Sequence, residues 1–374
     1  MRKTKTPPYR LLIFSVAAII FIALSVFMIS KTYSFLKRIG IRNTNQTKKV
    51  EKHTFTTVLL GYGGGAHEGT YLTDTMILIH VNYESKKAVL ISLPRDIWVK
   101  LPTKSGEPFA AKINGVYQLQ LFPATYPDVN VKKYTQNNDN GLLNHVLKQI
   151  TGLDVDSYVA VDFKSFVKII DLLGGIDVDV QKSFTDTQYP VDGKETDLCG
   201  KTEEEFMELE KIVATDSPEL NFPCRYETLN FVAGVTHMDG ETALKYARSR
   251  HSPTDGGDFN RARRQQQVIE ATKNKLLSPF LLPKIPSLMS KLENDIKTNT
   301  EYTSITKLSK EMLSAKEYQV SKIVLSDDNF LQSSYSQDGQ FILIPKAGIF
   351  NWTKLRQRII KLSNNPTPTP AESR

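Results

Sequence analysis

The sequence predicts an α/β domain, built on a central β-sheet flanked by helices and preceded by one transmembrane helix. Three short apolar and β-branched runs, typical of buried strands, lie at residues 55–60, 75–81 and 88–93. Helical spacing then alternates with further strand patterns, as in other α/β proteins. Residues 11–30 carry no charge, and at about 1.5 Å per residue they are long enough to span the ~30 Å hydrocarbon core of a bilayer.

The remaining elements follow from hydrophobic periodicity and helix-stop signals. Gly174 and Gly175 mark the end of one helix before a strand begins. The predicted elements are helices at 141–150 and 163–173, a strand at 176–180, helices at 240–248, 258–277, 285–292 and 305–313, and strands at 321–325 and 341–344.

These elements suggest a division of the chain into segments. Residues 1–10 form a cytoplasmic tail, 11–30 a signal anchor, 31–53 a polar juxtamembrane linker, 54–362 the globular domain and 363–374 a proline-rich disordered tail. The acidic stretch 181–231 is interpreted as a surface insertion. A cleaved signal peptide is the alternative to the anchor, but no small-x-small site follows Ser30. Basic residues flank the span on both sides, so charge alone does not assign its orientation.

The net charge of +8 is concentrated near the N-terminus. Residues 1–52 hold eleven Lys and Arg against one acidic residue, whereas the remainder has 37 basic and 39 acidic residues, a balance of −2. The basic excess therefore suits anionic lipid headgroups, and the sequence predicts no nucleic-acid partner.

The two cysteines, Cys199 and Cys224, lack zinc-site spacing. Outside the cytoplasm they can form a disulfide that closes part of the acidic insertion, and two free thiols are the alternative.

Several common catalytic motifs are absent. The glycines at 61–65 follow a strand, but another strand pattern begins at Thr75 and leaves no room for the helix that a dinucleotide site needs. The sequence contains no GxxxxGK[ST], HExxH or GxSxG pattern. Walker-type ATPases, zincins and common serine hydrolases are therefore excluded.

An arginine cluster at residues 246–267 is the strongest functional signal, with five arginines and two acids in YARSRHSPTDGGDFNRARRQQQ. On a helix, Asp258, Arg261 and Gln265 share the face that is otherwise apolar. Guanidinium groups match phosphate oxygens, and a helix N-terminus attracts anions. A solvated charged helix, or a structural Asp–Arg pair, is the alternative explanation.

Four further motifs occur with this cluster: TDT at 73–75, PRD at 94–96, KIN at 112–114 and DGETALKYARSR at 239–250. Together with DFKSFVKIIDLLGGIDVDV from Asp162, they make the chain resemble the LytR-CpsA-Psr family of membrane-anchored cell-wall glycopolymer transferases. The resemblance runs from about residue 58 to residue 277.

This resemblance implies an external catalytic domain that performs magnesium-assisted phosphoryl transfer. The donor would be a glycan on polyprenyl pyrophosphate, and the acceptor would be a muramic acid hydroxyl of peptidoglycan. Magnesium needs one or two carboxylates plus phosphate oxygens, and arginines stabilise the nonbridging oxygens. A polyprenyl-pyrophosphate phosphatase and a noncatalytic glycan- or lipid-binding wall protein are the alternatives.

Site residues are carried over from the family by motif. Asp74 is the expected metal ligand, and Asp96 is expected to position an arginine or accept the acceptor's proton. Asp258 is expected to orient the arginines, and Arg263 to be solvated. The pyrophosphate clamp is expected to comprise Arg95, Arg248, Arg250 and Arg261, with Lys112, Arg264 and Gln265 as further contacts.

The chain departs from the family after its first strand. Many members carry a second metal-binding aspartate just after LLG, whereas Leu59-Leu60-Gly61 is followed here by Tyr62 and Gly63. Glu68 is the candidate replacement, with His67 a weaker one. An ordinary surface-loop glutamate is the alternative for Glu68.

Overall fold

The computed structural model describes residues 53–65, 69–131, 141–212, 221–276 and 318–364, together with 278, 288, 291–292, 295–300 and 304. The predicted signal anchor, the candidate ligands His67 and Glu68, and most of the helices predicted at 285–292 and 305–313 lie outside these residues. Within the described part of the chain, no helix combines the length and apolar character needed to cross a membrane.

The described elements alternate between strands and helices along the chain. The strands are β1 Thr54–Tyr62, β2 Thr73–Asn82, β3 Lys87–Ser92, β4 Trp98–Leu101, β5 Phe109–Lys112, β6 Ser157–Asp162, β7 Ile176–Val180, β8 Phe184–Pro190, β9 Tyr226–Phe231, β10 Gly234–Met238, β11 Lys297–Thr298, β12 Gln319–Val324, β13 Leu331–Tyr335 and β14 Phe341–Pro345. The α-helices are α1 Val116–Leu121, α2 Gly141–Thr151, α3 Phe163–Leu172, α4 Glu203–Ile212, α5 Gly240–Arg248, α6 Gly257–Leu276 and α7 Thr353–Asn364, and a 3₁₀ turn covers Ile113–Gly115.

Six of these strands form a mixed central sheet in the order β11-β6-β1-β2-β3-β12. The neighbours β1 and β2, β2 and β3, and β6 and β11 are antiparallel, whereas β1 pairs with β6 and β3 pairs with β12 in parallel. Strand β3 is buried at every position because helices cover both faces of the sheet. The predicted α/β class with a central mixed sheet is therefore confirmed.

Two hydrophobic cores position the site. The first lies on the face of the sheet covered by α2 and α7 and includes Val58, Leu78, Ile91 and Leu355. Helix α6 packs on β3 and β12, where the Gln266 amide donates to Ser92 Oγ at 2.8 Å. The second core joins α3, α5 and α6 to the two-stranded ribbons β7–β10 and β8–β9.

The interpretation of residues 181–231 as a surface insertion is wrong for the first and last parts of this stretch, which belong to the second core. Strands β8 and β9 pair there, and their side chains Phe184, Tyr189 and Phe231 are buried in the second core. The sequence misleads here because short alternating strands within an acidic, proline-containing stretch resemble loop composition. Between the strands, Cys199 and Cys224 form a disulfide, which decides the alternative left open by their spacing.

Helix α5 begins in a tight contact with α3. Its N-cap, Asp239, accepts a hydrogen bond from the Thr242 backbone N–H at 2.8 Å. A Cβ on the next residue, Gly240, would lie 2.2 Å from the carbonyl oxygen of Val167. Glycine is therefore required at this position by close backbone approach, and the contact fixes α5 beside α3.

The substitution Gly240→Ala is expected to destabilise the protein by about 1–3 kcal/mol, because the added methyl group overlaps backbone that cannot rotate away. Urea denaturation of the full chain measures this change. Gly115→Ala is the matched control, since its added Cβ meets nothing closer than Leu72 Cδ2 at 4.0 Å. Equal stability of the two variants would contradict the packing argument.

Candidate active site

Asp74 lies at an irregularity of the β1–β2 pairing. Gly61 is opposite Thr75 and Tyr62 is opposite Thr73, so Asp74 is the extra residue of a β-bulge. Its Oδ1 accepts a hydrogen bond from Arg95 Nη1 at 2.8 Å. Because a bulge redirects its extra side chain, the local backbone brings Asp74 to the arginine of the PRD motif.

The KIN motif holds the TDT and PRD segments together through its backbone. The Asn114 N–H donates to the Arg95 carbonyl at 3.3 Å, and the Asn114 carbonyl accepts from Thr73 Oγ1 at 3.2 Å. Lys112 Nζ donates to Asp96 Oδ1 at 2.7 Å, while Asp96 Oδ2 lies 3.6 Å from Arg95 Nε. Lys112 and Asp96 thus pair with each other beside Arg95.

Asp186 organises the loop that follows α5. Its side chain is fully buried, and its Oδ2 accepts from Ser249 Oγ at 2.6 Å and from the N–H groups of Arg250 and His251 at 3.0 and 3.1 Å. The Gln188 N–H donates to Oδ1. Burial opposes ionisation of Asp186, but these hydrogen bonds, led by that from Ser249, outweigh burial and hold its pKa below the usual range.

Arg264 holds the same loop from the other side. Its guanidinium donates to the carbonyls of Tyr246, Ser249 and Asp255 and to the Asp255 carboxylate at 2.7 Å. The residue is 2% exposed. This corrects the prediction that Arg264 contacts the substrate phosphate, because its donors are engaged by the protein and the side chain faces the interior.

Helix α6 presents Arg261 and Gln265 on the face opposite its solvated side. Arg261 Nη1 lies 3.3 Å from Asp258 Oδ1 within the first turns of the helix. Burial lowers the pKa of Arg261; attraction by Asp258 opposes this effect and repulsion by Arg95 adds to it. Arg263, in contrast, is 64% exposed, as expected for a solvated side chain.

Arg248, at the end of α5, stands between two aromatic rings. Its guanidinium carbon is 4.4 Å from the Phe163 ring centre and 5.5 Å from the Tyr189 ring centre. Nη1 also donates to the Tyr189 hydroxyl at 3.1 Å. These contacts hold the side chain in place with little neutralisation of its charge, since its acidic partner Asp192 is 3.6 Å away and exposed.

The arginines converge on one cavity of about 180 Å³. Its lining includes six predicted site residues: Asp74, Arg95, Arg248, Arg250, Arg261 and Gln265. Three others, Asp96, Lys112 and Asp258, pair with site residues from outside the lining. The structure therefore brings a carboxylate and four arginines, from segments up to 187 residues apart, to one place.

Sequence reasoning did not name the other six lining residues as site residues: Thr75, Phe163, Asp186, Tyr189, Pro190 and His251. Asp186 and Tyr189 were hidden inside the stretch interpreted as an insertion. His251 directly follows the RSR motif, and its position beside two clamp arginines was the signal that could have identified it.

Asp74 is the cavity carboxylate best suited to a metal, since Asp186 is occupied by four donors. Among the described residues, the only cluster of three potential ligands is Asp197 with Cys199 and Cys224, whose sulfur atoms are joined in the disulfide. A cation at Asp74 would thus take further ligands from substrate oxygens and water. That donor set fits Mg²⁺, which retains water and binds phosphates through one or two carboxylates.

The fold and the cavity define an α/β protein with an arginine-rich anion site. The LytR_cpsA_psr family profile matches residues 25–346, and the chain belongs to this family. The resemblance inferred from the sequence motifs is therefore confirmed.

Two relatives and one solved structure illustrate the similarity. The chain is 26% identical over 302 residues to the polyisoprenyl-teichoic acid–peptidoglycan teichoic acid transferase TagV of Bacillus subtilis, covering 78% of this chain and 64% of TagV. It is 26% identical over 263 residues to Biofilm regulatory protein A of Streptococcus mutans, covering 68% and 52%. The crystal structure of B. subtilis TagV has a TM-score of 0.53 at 22% identity, covering 85% of this chain and all of that one, which supports the same fold.

Asp186→Asn is expected to lower the free energy of unfolding by about 1–3 kcal/mol at pH 7, because an amide cannot accept hydrogen bonds at both former carboxylate oxygens. The folded-state pKa of Asp186 is depressed, so its contribution is present above the unfolded value of about 3.9 and is lost as the pH falls through the folded value. The difference in the free energy of unfolding between wild type and variant should therefore become smaller as the pH is lowered. Urea denaturation from pH 7 to pH 3 measures it, with exposed Asp192→Asn as the control; a constant difference would contradict the assignment.

Arg264→Met is expected to lower the free energy of unfolding by about 3 kcal/mol or more, because it leaves the Asp255 carboxylate and three carbonyls without their buried donor. The same change at the neighbouring exposed Arg263 should alter stability by no more than about 0.5 kcal/mol. Thermal unfolding of both variants provides the comparison. Similar melting temperatures would show that Arg264 does not hold the loop.

Proposed function

We propose that this protein is a membrane-anchored, Mg²⁺-dependent phosphotransferase whose domain works on the outer face of the cell membrane. It moves a glycopolymer of the teichoic acid or capsule type from a polyprenyl-pyrophosphate carrier to peptidoglycan and leaves a phosphodiester link. Membership of the family and similarity to the teichoic acid transferase TagV support the general reaction.

The observation that carries the proposal is the cavity where four arginines meet Asp74. Arg95, Arg248, Arg250 and Arg261 supply more positive charge than the lining acids Asp74 and Asp186 neutralise. A pyrophosphate offers several anionic oxygens, and planar guanidinium groups bind such oxygens in pairs. A neutral glycan or lipid chain would leave the excess positive charge of these arginines unneutralised, so the site favours the pyrophosphate over a purely glycan-binding role.

Each side chain has a distinct task in this reaction. Arg248, held between its aromatic neighbours, and Arg261, steered by Asp258, would bind nonbridging oxygens of the two phosphates. Arg95 donates to Asp74 and so links the candidate metal ligand to the phosphate-binding arginines. When bound at Asp74, Mg²⁺ would neutralise the pyrophosphate and stabilise the departing lipid phosphate. Because these groups are fixed before the substrate arrives, the charge that develops in the transition state meets preorganised donors.

Arg261→Ala is expected to lower kcat/KM for transfer by about 100-fold or more, because a buried donor to the reacting phosphates is lost. The measurement uses detergent-solubilised full chain with N-acetylglucosaminyl-pyrophosphoryl-farnesol, MgCl₂ and a peptidoglycan tetrasaccharide. Product phosphodiester is followed by mass spectrometry.

Arg263→Ala is the matched control, as it removes an exposed arginine two positions along the same helix. If Arg261→Ala turns over at the wild-type rate, Arg261 does not belong to the pyrophosphate clamp. Release of farnesyl phosphate without a phosphodiester product would instead identify the protein as a pyrophosphatase of the same lipid carrier.

A further inference from the structure

The proposed transfer needs a group that takes the proton from the acceptor hydroxyl, and the structure does not give this task to Asp96. One carboxylate oxygen of Asp96 accepts from Lys112 at 2.7 Å, and the other lies 3.6 Å from Arg95. Asp96 is not among the residues that line the cavity. A general base must reach the attacking hydroxyl, so the base must come from the lining itself.

Most ionisable groups in the lining are unsuited to accept a proton near neutral pH. The arginines are permanently protonated. Asp74 is hydrogen-bonded to Arg95, and Asp186 accepts from four donors. Burial raises the pKa of Tyr189 to about 12, so its hydroxyl remains protonated. Among the described lining residues, the one remaining ionisable side chain is that of His251.

His251 is held at the cavity by its backbone. Its N–H donates to Asp186 Oδ2 at 3.1 Å, beside the N–H of Arg250 at 3.0 Å on the same oxygen. Arg250 and His251 are therefore fixed side by side through one carboxylate oxygen, and both line the cavity. The side chain is partly exposed, which leaves it open to an incoming acceptor.

We propose that His251 is the general base that accepts the proton of the acceptor hydroxyl. This inference rests on the proposed transferase function. As the acceptor oxygen forms its bond to the glycan-linked phosphorus, its proton passes to a ring nitrogen of His251. The bond from that phosphorus to the bridging oxygen breaks, and the electron pair leaves with polyprenyl phosphate. The imidazolium then returns its proton to solvent or to the departing phosphate.

The direction of the pH dependence separates this role from phosphate binding. A general base must be neutral to accept a proton, so transfer would decline on the acid side of the pH profile. A cation that binds phosphate must be protonated, so transfer would decline on the alkaline side. The charged groups that share the cavity, Asp74, Asp186 and the four arginines, remain in both wild type and variant and do not alter this comparison.

The test is the pH–rate profile of His251→Gln against wild type, from pH 5 to pH 9, with the full chain, the farnesyl donor, MgCl₂ and tetrasaccharide described above. The variant is expected to lose about 100-fold or more in kcat, with the donor KM changed by less than about threefold. The decline of wild-type kcat on the acid side should be absent from the variant. His237→Gln, a surface histidine paired with Asp177, is the matched control and should behave as wild type.

Four results would overturn the inference. A variant that keeps the acid-side decline shows that another group titrates, and a raised donor KM with unchanged kcat shows that His251 binds phosphate. Equal profiles for wild type and variant reject any role in proton transfer, while leaving the transferase function intact. Absence of phosphodiester product from wild type itself would reject the proposed function and this inference with it.

Discussion

Two buried charges of opposite sign hold the segment from Ser249 to Asp255, and the candidate site depends on them. The Asp186 carboxylate binds its backbone N–H groups, while the Arg264 guanidinium binds carbonyls at both of its ends. Backbone groups in an irregular segment need such partners when they are buried, since no strand or helix provides them. Because Arg248, Arg250 and His251 adjoin or belong to this segment, their positions follow from two side chains that never need to touch substrate.

The arginines of the cavity are like charges that neighbouring groups hold close together. Burial alone would lower the pKa of Arg95, but its hydrogen bond to Asp74 and the charges of Asp74, Asp258 and Asp96 raise it above the ordinary value. Arg261 has Asp258 at 3.3 Å, whereas Arg248 rests on aromatic rings. Arg95, Arg248 and Arg261 thus have different principal neighbours, and the cavity keeps an excess of positive charge, with four arginines against two acids.

Local patterns predicted the elements but not every contact. The helix at residues 240–248 and the strand at 176–180 have the bounds expected from their periodicity, since a helix cap and a glycine stop are local signals. The motifs also placed Asp74, Arg95 and Arg261 in one site through family resemblance. Arg264 was misassigned, because helical spacing puts it near Arg261 while only the tertiary fold reveals the carbonyls that it binds. Asp186 was missed because its partners lie 63 to 65 residues away, and no local signal reports such a distance.

The lack of an aspartate after Leu59-Leu60-Gly61 changes the charge balance of the proposed reaction. Tyr62 and Gly63 supply no carboxylate there, so Asp74 is the candidate metal ligand among the described residues of the cavity. Asp74 alone would hold a free cation more weakly than two carboxylates would. The arginines would hold the pyrophosphate more strongly than they would beside a second carboxylate. Asp74 would therefore hold Mg²⁺ together with pyrophosphate oxygens and water, and the ion would supply charge neutralisation at that place. Asp74 would also have to share its carboxylate between the metal and Arg95, whose Nη1 lies 2.8 Å from Asp74 Oδ1.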